Sequence, residues 1–222
     1  MNEYEKLIEK ILNHFVSDAF KDELAMAKKE FFENAGTLDE NSEHYESRMA
    51  QFYDWYFFTR ELKGFGQTPL EACLLVRELR FSEDEMKTLE VLKQHRHSIY
   101  EFVKIKDGDV YIKDLLHGKK GLFGAETLVV KASPFVFGFD PDELFEVRLI
   151  PHGDSYVFTR GFCFHPESAK KFILGEVKRH RKDPDLDPDL LMLRLIKMRY
   201  KFEQYKHVRP EMIYSNEGKL GI

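Results

Sequence analysis

Six of the seven residues from Phe52 to Phe58 are aromatic, and only Asp54 interrupts the run. The surrounding sequence predicts that this run lies within a helix over about residues 43–63. Aromatic side chains bury more apolar surface than most other residues. We therefore expect this helix to pack inside the core. On the exposed side of the helix, Asp54 would be an ordinary surface acid.

Helices are expected on both sides of the aromatic run. Apolar residues at three- and four-residue spacing predict a helix over 3–35, with a break near Ser17-Asp18. The capping boxes Thr68-Pro-Leu-Glu71 and Ser82-Glu-Asp-Glu85 predict two more helix starts. Capping explains these polar residues without a functional role. The two helices are expected at about 69–79 and 83–96.

The spacing at which apolar residues recur changes at residue 98. Short runs rich in β-branched and aromatic residues then alternate with Gly, Pro and Asp, a pattern typical of strands and tight turns. These runs predict a compact antiparallel sheet or a small barrel. The predicted strands are 99–105, 110–112, 128–130, 144–150 and 155–159.

A helical pattern returns at residues 167–182 and again from Pro188 to about His207. The residues from Ser215 onward are expected to fray. The order of helices, sheet and helices predicts an α+β fold. We expect a helical subdomain at 1–96, a β-rich subdomain at 97–166 and a C-terminal helical segment at 167–222 that packs with the first.

Composition narrows the class of protein. Hydrophobic residues make up 43% of the chain and charged residues 33%, which excludes a mostly disordered protein. No apolar stretch reaches the roughly 20 residues of a membrane span, and the acidic N-terminus lacks the pattern of a secretory signal. Cys73 and Cys163 have apolar neighbours and are expected to be free, buried thiols. The sequence thus predicts a cytoplasmic protein with no membrane association.

The sequence lacks the short motifs that mark catalytic, nucleotide-binding or metal-binding sites. No nucleophile elbow, dinucleotide fingerprint, P-loop or zinc spacing occurs, and a calcium-loop pattern starting at Asp183 fails at Pro188 and Arg194. We therefore predict no catalytic residue, no cofactor and no metal. Cys163 and His165 would share one side of a strand, and a site whose ligands converge in space is left open.

The last helix has two apolar faces. One carries the stripe from Leu191 to Tyr205, and the nearly opposite face carries Leu193, Ile196 and Tyr200. Such a helix is either sandwiched between layers or placed at a subunit interface. Leu193, Ile196 and Tyr200 are therefore the candidate residues for a protein interface or self-association.

Charge is unevenly distributed along the chain. The net charge is −5, but acidic residues dominate the first 96 positions and basic residues dominate 168–209. A basic cluster could contact nucleic-acid phosphates. The alternative is a solvated, cationic helix end, and no nucleic-acid motif accompanies the cluster. The nucleic-acid candidates are Lys178, Arg179, Arg181, Lys182, Arg194, Lys197 and Lys201.

Several segments between Phe52 and about Phe164 form a recognisable combination. They are the aromatic run, Thr68-Pro-Leu-Glu71, the Ser82-Glu83 helix start, Tyr100-Glu-Phe102, Ile112-Lys-Asp-Leu-Leu116 and Phe145-Glu-Val-Arg-Leu-Ile-Pro151. The combination resembles an uncharacterised group of bacterial proteins, some of which end in a SEC-C zinc motif. The final residues here contain no cysteine, so that zinc motif is absent. The resemblance implies a fold and brings no catalytic residue.

Three functional hypotheses follow. The leading one is a non-enzymatic cytoplasmic binding or regulatory protein that acts through protein–protein contacts. The first alternative is a nucleic-acid-associated protein that uses the basic C-terminal helices. The second alternative is an enzyme whose site is assembled from distant residues, with Asp54, Asp114, Arg148 and His152 as candidates.

Overall fold

The computed structural model describes residues 2–216, apart from 38–39, 119, 122–123, 126, 132–138 and 141–142. The helices are α1 (Glu3–Phe15), α2 (Lys21–Ala35), α3 (Tyr45–Phe58), α4 (Pro69–Ala72), α5 (Glu83–Leu92), α6 (Lys170–His180), α7 (Pro188–Gln204) and α8 (Pro210–Ile213). The strands are β1 (Arg96–Lys106), β2 (Asp109–Asp114), β3 (Lys120–Gly121), β4 (Gly124–Ala125), β5 (Thr127–Val130), β6 (Leu144–His152), β7 (Ser155–Phe158) and β8 (Cys163–His165). The α+β class and the order of helices, sheet and helices are confirmed.

The helix starts agree with the capping signals. Both predicted capping boxes are present, with Thr68 and Ser82 accepting hydrogen bonds from the backbone at the third helical position. The break between α1 and α2 falls at Ser17, as expected. Three helices are clearly shorter than predicted. Helix α3 ends at Phe58 rather than near residue 63. A 3₁₀ turn and an extended Val76 end the α4 segment, and α5 stops at Leu92 because residues from Arg96 onward pair with β6.

Five strands close into a barrel. Neighbouring strands follow the order β1, β2, β5, β7 and β6, and β6 pairs back to β1. All of these pairs are antiparallel except β5 with β7, whose parallel contact is the single pair Val130–Tyr156. Strand β8 adds to β6 through Cys163 opposite Glu146. The predicted sheet or barrel is therefore a barrel, and the strand considered around Cys163 and His165 is present as β8, which pairs with β6.

The inside of the barrel is an apolar core. Successive strand residues point to opposite faces, so Phe145, Val147 and Leu149 of β6 point inward while Glu146 and Arg148 point outward. Tyr100 and Phe102 of β1 belong to the same inner cluster. The outer face of β1, β6 and β8 is covered by helices, so it is buried as well.

Helix α7 lies between two cores. Leu193 and Ile196 pack into the cluster formed by α1, α2 and α3, whereas Leu191, Leu195 and Met198 pack into the cluster formed with α6 and α8. A helix in this position needs two apolar faces, which accounts for its unusual pattern. Within the described part of the chain, no helix has the length and apolar character needed to cross a membrane.

Candidate functional site

A groove of about 760 Å³ runs between α1, α3 and the β6–β7 hairpin. Its volume lies within the range of small-ligand pockets in proteins. Apolar side chains form most of its lining, including Ile8, Leu12, Met49, Ala50, Ile150 and Val157. The aromatic run supplies part of this wall, because one side of α3 faces the groove and the other faces the core.

Acidic side chains outnumber basic ones among the polar residues that line the groove. Glu5, Glu9 and Glu46 line it together with one cation, Arg160. Arg160 already pairs with Glu5, with 3.0 Å between Nε and Oε1. Glu9 and Glu46 are exposed. The groove therefore has an apolar floor, and its acidic rim would favour a ligand that carries positive charge.

Asp54 connects the groove to a buried row of polar side chains. The row lies between the outer face of the barrel and helices α3 and α7. Strands β1, β6 and β8 carry five of its members, α3 carries Asp54, and α7 carries Asp189, whose side chain is 44% exposed. Its members are Asp54, His97, Glu146, Arg148, Cys163, His165 and Asp189. Because Glu146 and Arg148 alternate with inward-facing residues of β6, the strand register itself places them toward the helices.

The Asp54–Arg148 pair is the tightest contact of the row. Arg148 Nε donates to Asp54 Oδ1 at 2.9 Å, and Nη2 donates to Thr59 Oγ1 at 2.9 Å. The guanidinium also lies 4.8 Å from the ring centroid of Phe58. Only 2% of the Arg148 side chain and 9% of the Asp54 side chain are exposed. The pair thus holds α3 against the barrel with both charges compensated.

His97 lies between two carboxylates. Its Nε2 is 3.4 Å from Glu146 Oε1, and its Nδ1 is 3.5 Å from Asp189 Oδ1. Burial and the charge of Arg148 act to lower the pKa of His97, but hydrogen bonding to Asp189 and Glu146 outweighs them and leaves that pKa raised. Burial raises the pKa of Glu146. A cavity of about 10 Å³ beside these residues has room for about one water molecule.

Glu146, Cys163 and His165 form a second cluster at the other end of the row. Their ligand-type atoms all lie within 4.8 Å of one another, and all three residues are buried. Burial lowers the pKa of His165 to about 3 and raises the pKa of the Cys163 thiol. Among the described residues, Glu146 Oε2 and His165 Nε2 have no hydrogen-bond partner. These are carboxylate, thiol and imidazole groups, which are ligands that bind transition metals.

The four candidates for a catalytic site separate in the structure. Asp54 and Arg148 meet, as described above. Asp114 instead accepts hydrogen bonds from Ser98 and from the backbone after β2, and His152 contacts the hydroxyl of Tyr4 at 3.1 Å. The structure thus brings together only two of the four.

The interface candidates lie against other parts of the chain. Leu193 and Ile196 are 8% and 5% exposed, and they contact the N-terminal helical core. The ring centroid of Tyr200 lies 4.9 Å from the guanidinium of Arg48, and the same ring packs so closely on Gly36 that an added methyl group there would overlap it. This burial offers no support for an interface at these residues, and their role in one stays a prediction.

Most of the nucleic-acid candidates have contacts within the protein. Arg179 and Arg194 both pair with Glu176. Arg181 donates to two backbone carbonyls of the loop after β2, and Lys197 donates to a carbonyl near the end of α2. These contacts give the four arginine and lysine side chains a structural role, and nucleic-acid binding stays a prediction. Lys178 and Lys182 are exposed, and Lys201 is partly exposed.

His95 next to the row makes stability sensitive to acid. Its pKa is lowered from 6.5 to about 4, mainly by burial and also by the charges of Arg148 and His97, while the Leu92 carbonyl and Asp54 act in the opposite direction. The unfolded chain therefore binds a proton at a higher pH than the folded one. We expect this residue to reduce the free energy of unfolding by roughly 1.4 kcal/mol per pH unit as the pH falls from about 6.5 to 4.

Urea unfolding of the native protein and of His95→Gln at several pH values between 7 and 4 would measure this contribution. The difference between the two proteins cancels the other titrating groups. Parallel stability profiles for the two proteins would contradict the expectation.

Sequence reasoning missed three of the seven residues of the row. His97, Glu146 and Asp189 are far apart in the sequence, and none belongs to a motif. One signal was available in the sequence. Glu146 and Arg148 are charged residues in the mostly apolar strand β6, and because they are two positions apart they lie on the same face of that strand. Charges at such positions require buried partners.

Comparison with known proteins gives a family. The profile of DUF7986, a family of unknown function, matches residues 2–188, which include the groove and every row residue except Asp189. No curated protein and no solved structure matches the chain. Since the matched segment spans most of the 222 residues, the chain belongs to the DUF7986 family.

Proposed function

We propose that this protein is a binding protein whose groove takes an apolar, helical segment of a partner protein with basic side chains along its edges. The single observation that carries the proposal is the groove of about 760 Å³, with its apolar floor and acidic rim. This function keeps the expected action through protein–protein contacts but moves it from α7 to the groove lined by α1, α3 and the β6–β7 hairpin.

The chemistry of the lining favours this occupant. Amphipathic helices bind by laying an apolar face into a hydrophobic groove. Ile8, Leu12 and Ala50 are partly exposed and form such a surface. Tyr45 and Tyr53 add rings with polar tips, which suit the boundary between an apolar floor and solvent. Exposed Glu9 and Glu46 would attract lysine or arginine and repel an acidic segment.

Two labelled model peptides test the proposal. One has leucine on one helical face and lysine on the other, and its counterpart replaces lysine with glutamate. We expect fluorescence anisotropy to show at least roughly tenfold tighter binding of the lysine peptide, a difference of about 1.4 kcal/mol. Glu46→Lys should reduce this preference, because it reverses one charge at the rim.

Ala50→Trp and Ala25→Trp provide the matched pair of variants. Ala50 lines the groove, whereas Ala25 is exposed on α2 and does not line it. We expect only the tryptophan at position 50 to block the peptide. Equal effects of the two variants, or failure of both peptides to bind the folded protein, would refute the proposal. The proposal would also be refuted if a small apolar dye bound in the groove and neither peptide did.

The two alternative functions have narrower support. Catalysis is supported by Asp54, which lines both the groove and the small cavity of the buried row. Its carboxylate is held by Arg148, so a reaction would need a substrate that competes with that pair. Nucleic-acid association is supported by exposed Lys178 and Lys182, and it would weaken steeply as salt is raised.

The cellular location of the protein and its kinship with other proteins are also part of the proposal, and each has one supporting observation. A reducing, cytoplasmic location is supported by the two free, buried cysteines, Cys73 and Cys163. Kinship with bacterial proteins that carry a SEC-C motif is supported by the segments between Phe52 and Phe164 described above.

A further inference from the structure

We propose that Glu146, Cys163 and His165 bind a zinc ion in the buried row. This site departs from the expectation of no metal, which rested on spacing along the sequence. It is independent of the groove and of what the groove binds.

The barrel supplies a rigid frame for the three ligands. Glu146 and Cys163 are directly opposed in the antiparallel pair of β6 and β8. His165 lies two residues beyond Cys163, so both side chains point to the same face of β8. All three side chains therefore come from paired strands, which hold a site more accurately than loops do.

The distances are close to those of a bound ion. His165 Nε2 and Glu146 Oε2 are 3.9 Å apart, and the cluster with the Cys163 sulfur lies within 4.8 Å. Ligand atoms around tetrahedral zinc lie roughly 3.4–3.6 Å from one another, given metal–ligand bonds of about 2.0–2.3 Å. Side-chain rotations that move the atoms by about 1 Å would close the site.

The hydrogen bonding of the cluster is incomplete without an ion. Glu146 Oε2 and His165 Nε2 are buried and have no hydrogen-bond partner in the described part of the chain. A buried polar atom without a partner costs about 1–3 kcal/mol. A cation between them would satisfy both atoms at once, together with the thiolate of Cys163.

Two of the three ligands have partners on their other polar atom of the kind that orient metal ligands. His165 Nδ1 lies 3.2 Å from the hydroxyl oxygen of Tyr214, and Glu146 Oε1 lies 3.4 Å from His97 Nε2. A proton on Nδ1, donated to Tyr214, leaves Nε2 free to bind the ion. The unpaired atoms are thus the ones that face the centre of the cluster.

The ligand types select the metal, and a cavity offers a route to it. Thiolate and imidazole favour zinc over calcium or magnesium, which prefer oxygen ligands. Cys163 lines a cavity of about 180 Å³ between α3 and α7. Arg48 and Arg199 line the same cavity, and their charges partly offset the burial that raises the pKa of the thiol.

Metal reconstitution under reducing conditions tests the site. After removal of bound metal with a chelator, we expect the full-length protein to take up one zinc ion per chain, as measured by mass spectrometry. Cobalt in place of zinc should give a sulfur-to-cobalt charge-transfer band. Cys163→Ser should lose this band, whereas Cys73→Ser, at the other buried cysteine, should keep it.

Tyr214→Phe gives a readout that does not depend on removing a ligand. The proposed hydrogen bond to His165 predicts that this variant keeps one ion per chain but binds it roughly 10–100-fold more weakly. The proposal is overturned if the native protein is folded by circular dichroism and yet binds neither zinc nor cobalt. It is also overturned if folded Cys73→Ser loses the cobalt band as fully as Cys163→Ser. Metal binding by the native protein and the cobalt band of Cys73→Ser test the proposal even if Cys163→Ser does not fold.

Discussion

Replacing Arg148 with methionine should destabilise the protein by about 3–5 kcal/mol. Methionine keeps much of the apolar stem but leaves the buried carboxylate of Asp54 without its cation. It also removes the hydrogen bond to Thr59 and the contact with the Phe58 ring. For a protein of this size, the expected fall in melting temperature is roughly 6–20 °C. Urea and thermal unfolding would both measure the loss.

Arg160→Met is the matched control for this prediction. Arg160 pairs with Glu5 at a similar distance, but 64% of its side chain is exposed, so its loss should cost about 0–1 kcal/mol. The double variant Asp54→Asn/Arg148→Met should recover part of the loss, because the uncompensated charge is then gone. Equal costs for Arg148→Met and Arg160→Met would show that burial of the pair does not determine its strength.

The second large effect is expected at Phe145, in the centre of the barrel. Its side chain is fully buried and its ring lies within 6.1 Å of those of Tyr100, Phe158, Phe162 and Phe164, measured between centroids. Phe145→Ala would remove this ring and leave a cavity that rigid strands cannot close. We expect a loss of about 3–5 kcal/mol in the free energy of unfolding.

Ile105→Ala serves as the control in the same barrel. Ile105 lies on β1 but is 41% exposed, so its truncation should change stability by about 0.5 kcal/mol or less. Denaturant unfolding monitored by circular dichroism would compare the two variants. If Phe145→Ala were no more harmful than Ile105→Ala, the barrel interior would have to repack far more freely than a close-packed core allows.

Local features of the fold were predictable because their causes are local. Capping boxes at Thr68 and Ser82 act within four residues, and both helices begin where these residues indicate. The change of period at residue 98 likewise reports strands through alternation of neighbouring residues. Barrel closure was not predictable to the same degree, because the pairing of β1 with β6 joins residues about fifty positions apart.

The candidate sites depend on contacts that short-range patterns do not encode. Asp54 was recognised as the one acid within the aromatic run and as a candidate site residue, but its partner Arg148 is 94 positions away. Cys163 and His165 were recognised as sharing one side of a strand, whereas Glu146 joined them only through the register of β6 and β8. The two apolar faces of α7 were read correctly as a pattern, and tertiary packing determined what each face contacts.

The parallel contact between β5 and β7 has a consequence for how the barrel moves. Every other seam of the ring is held by at least four register pairs, but this one has the single pair Val130–Tyr156 among the described residues. Among the described residues, fewer backbone hydrogen bonds join the strands here than at the other seams. On that pairing we expect thermal opening of the barrel to begin at this seam, on β5 and β7, while the pairing of β6 with β1 and β8 that positions the buried polar row stays intact.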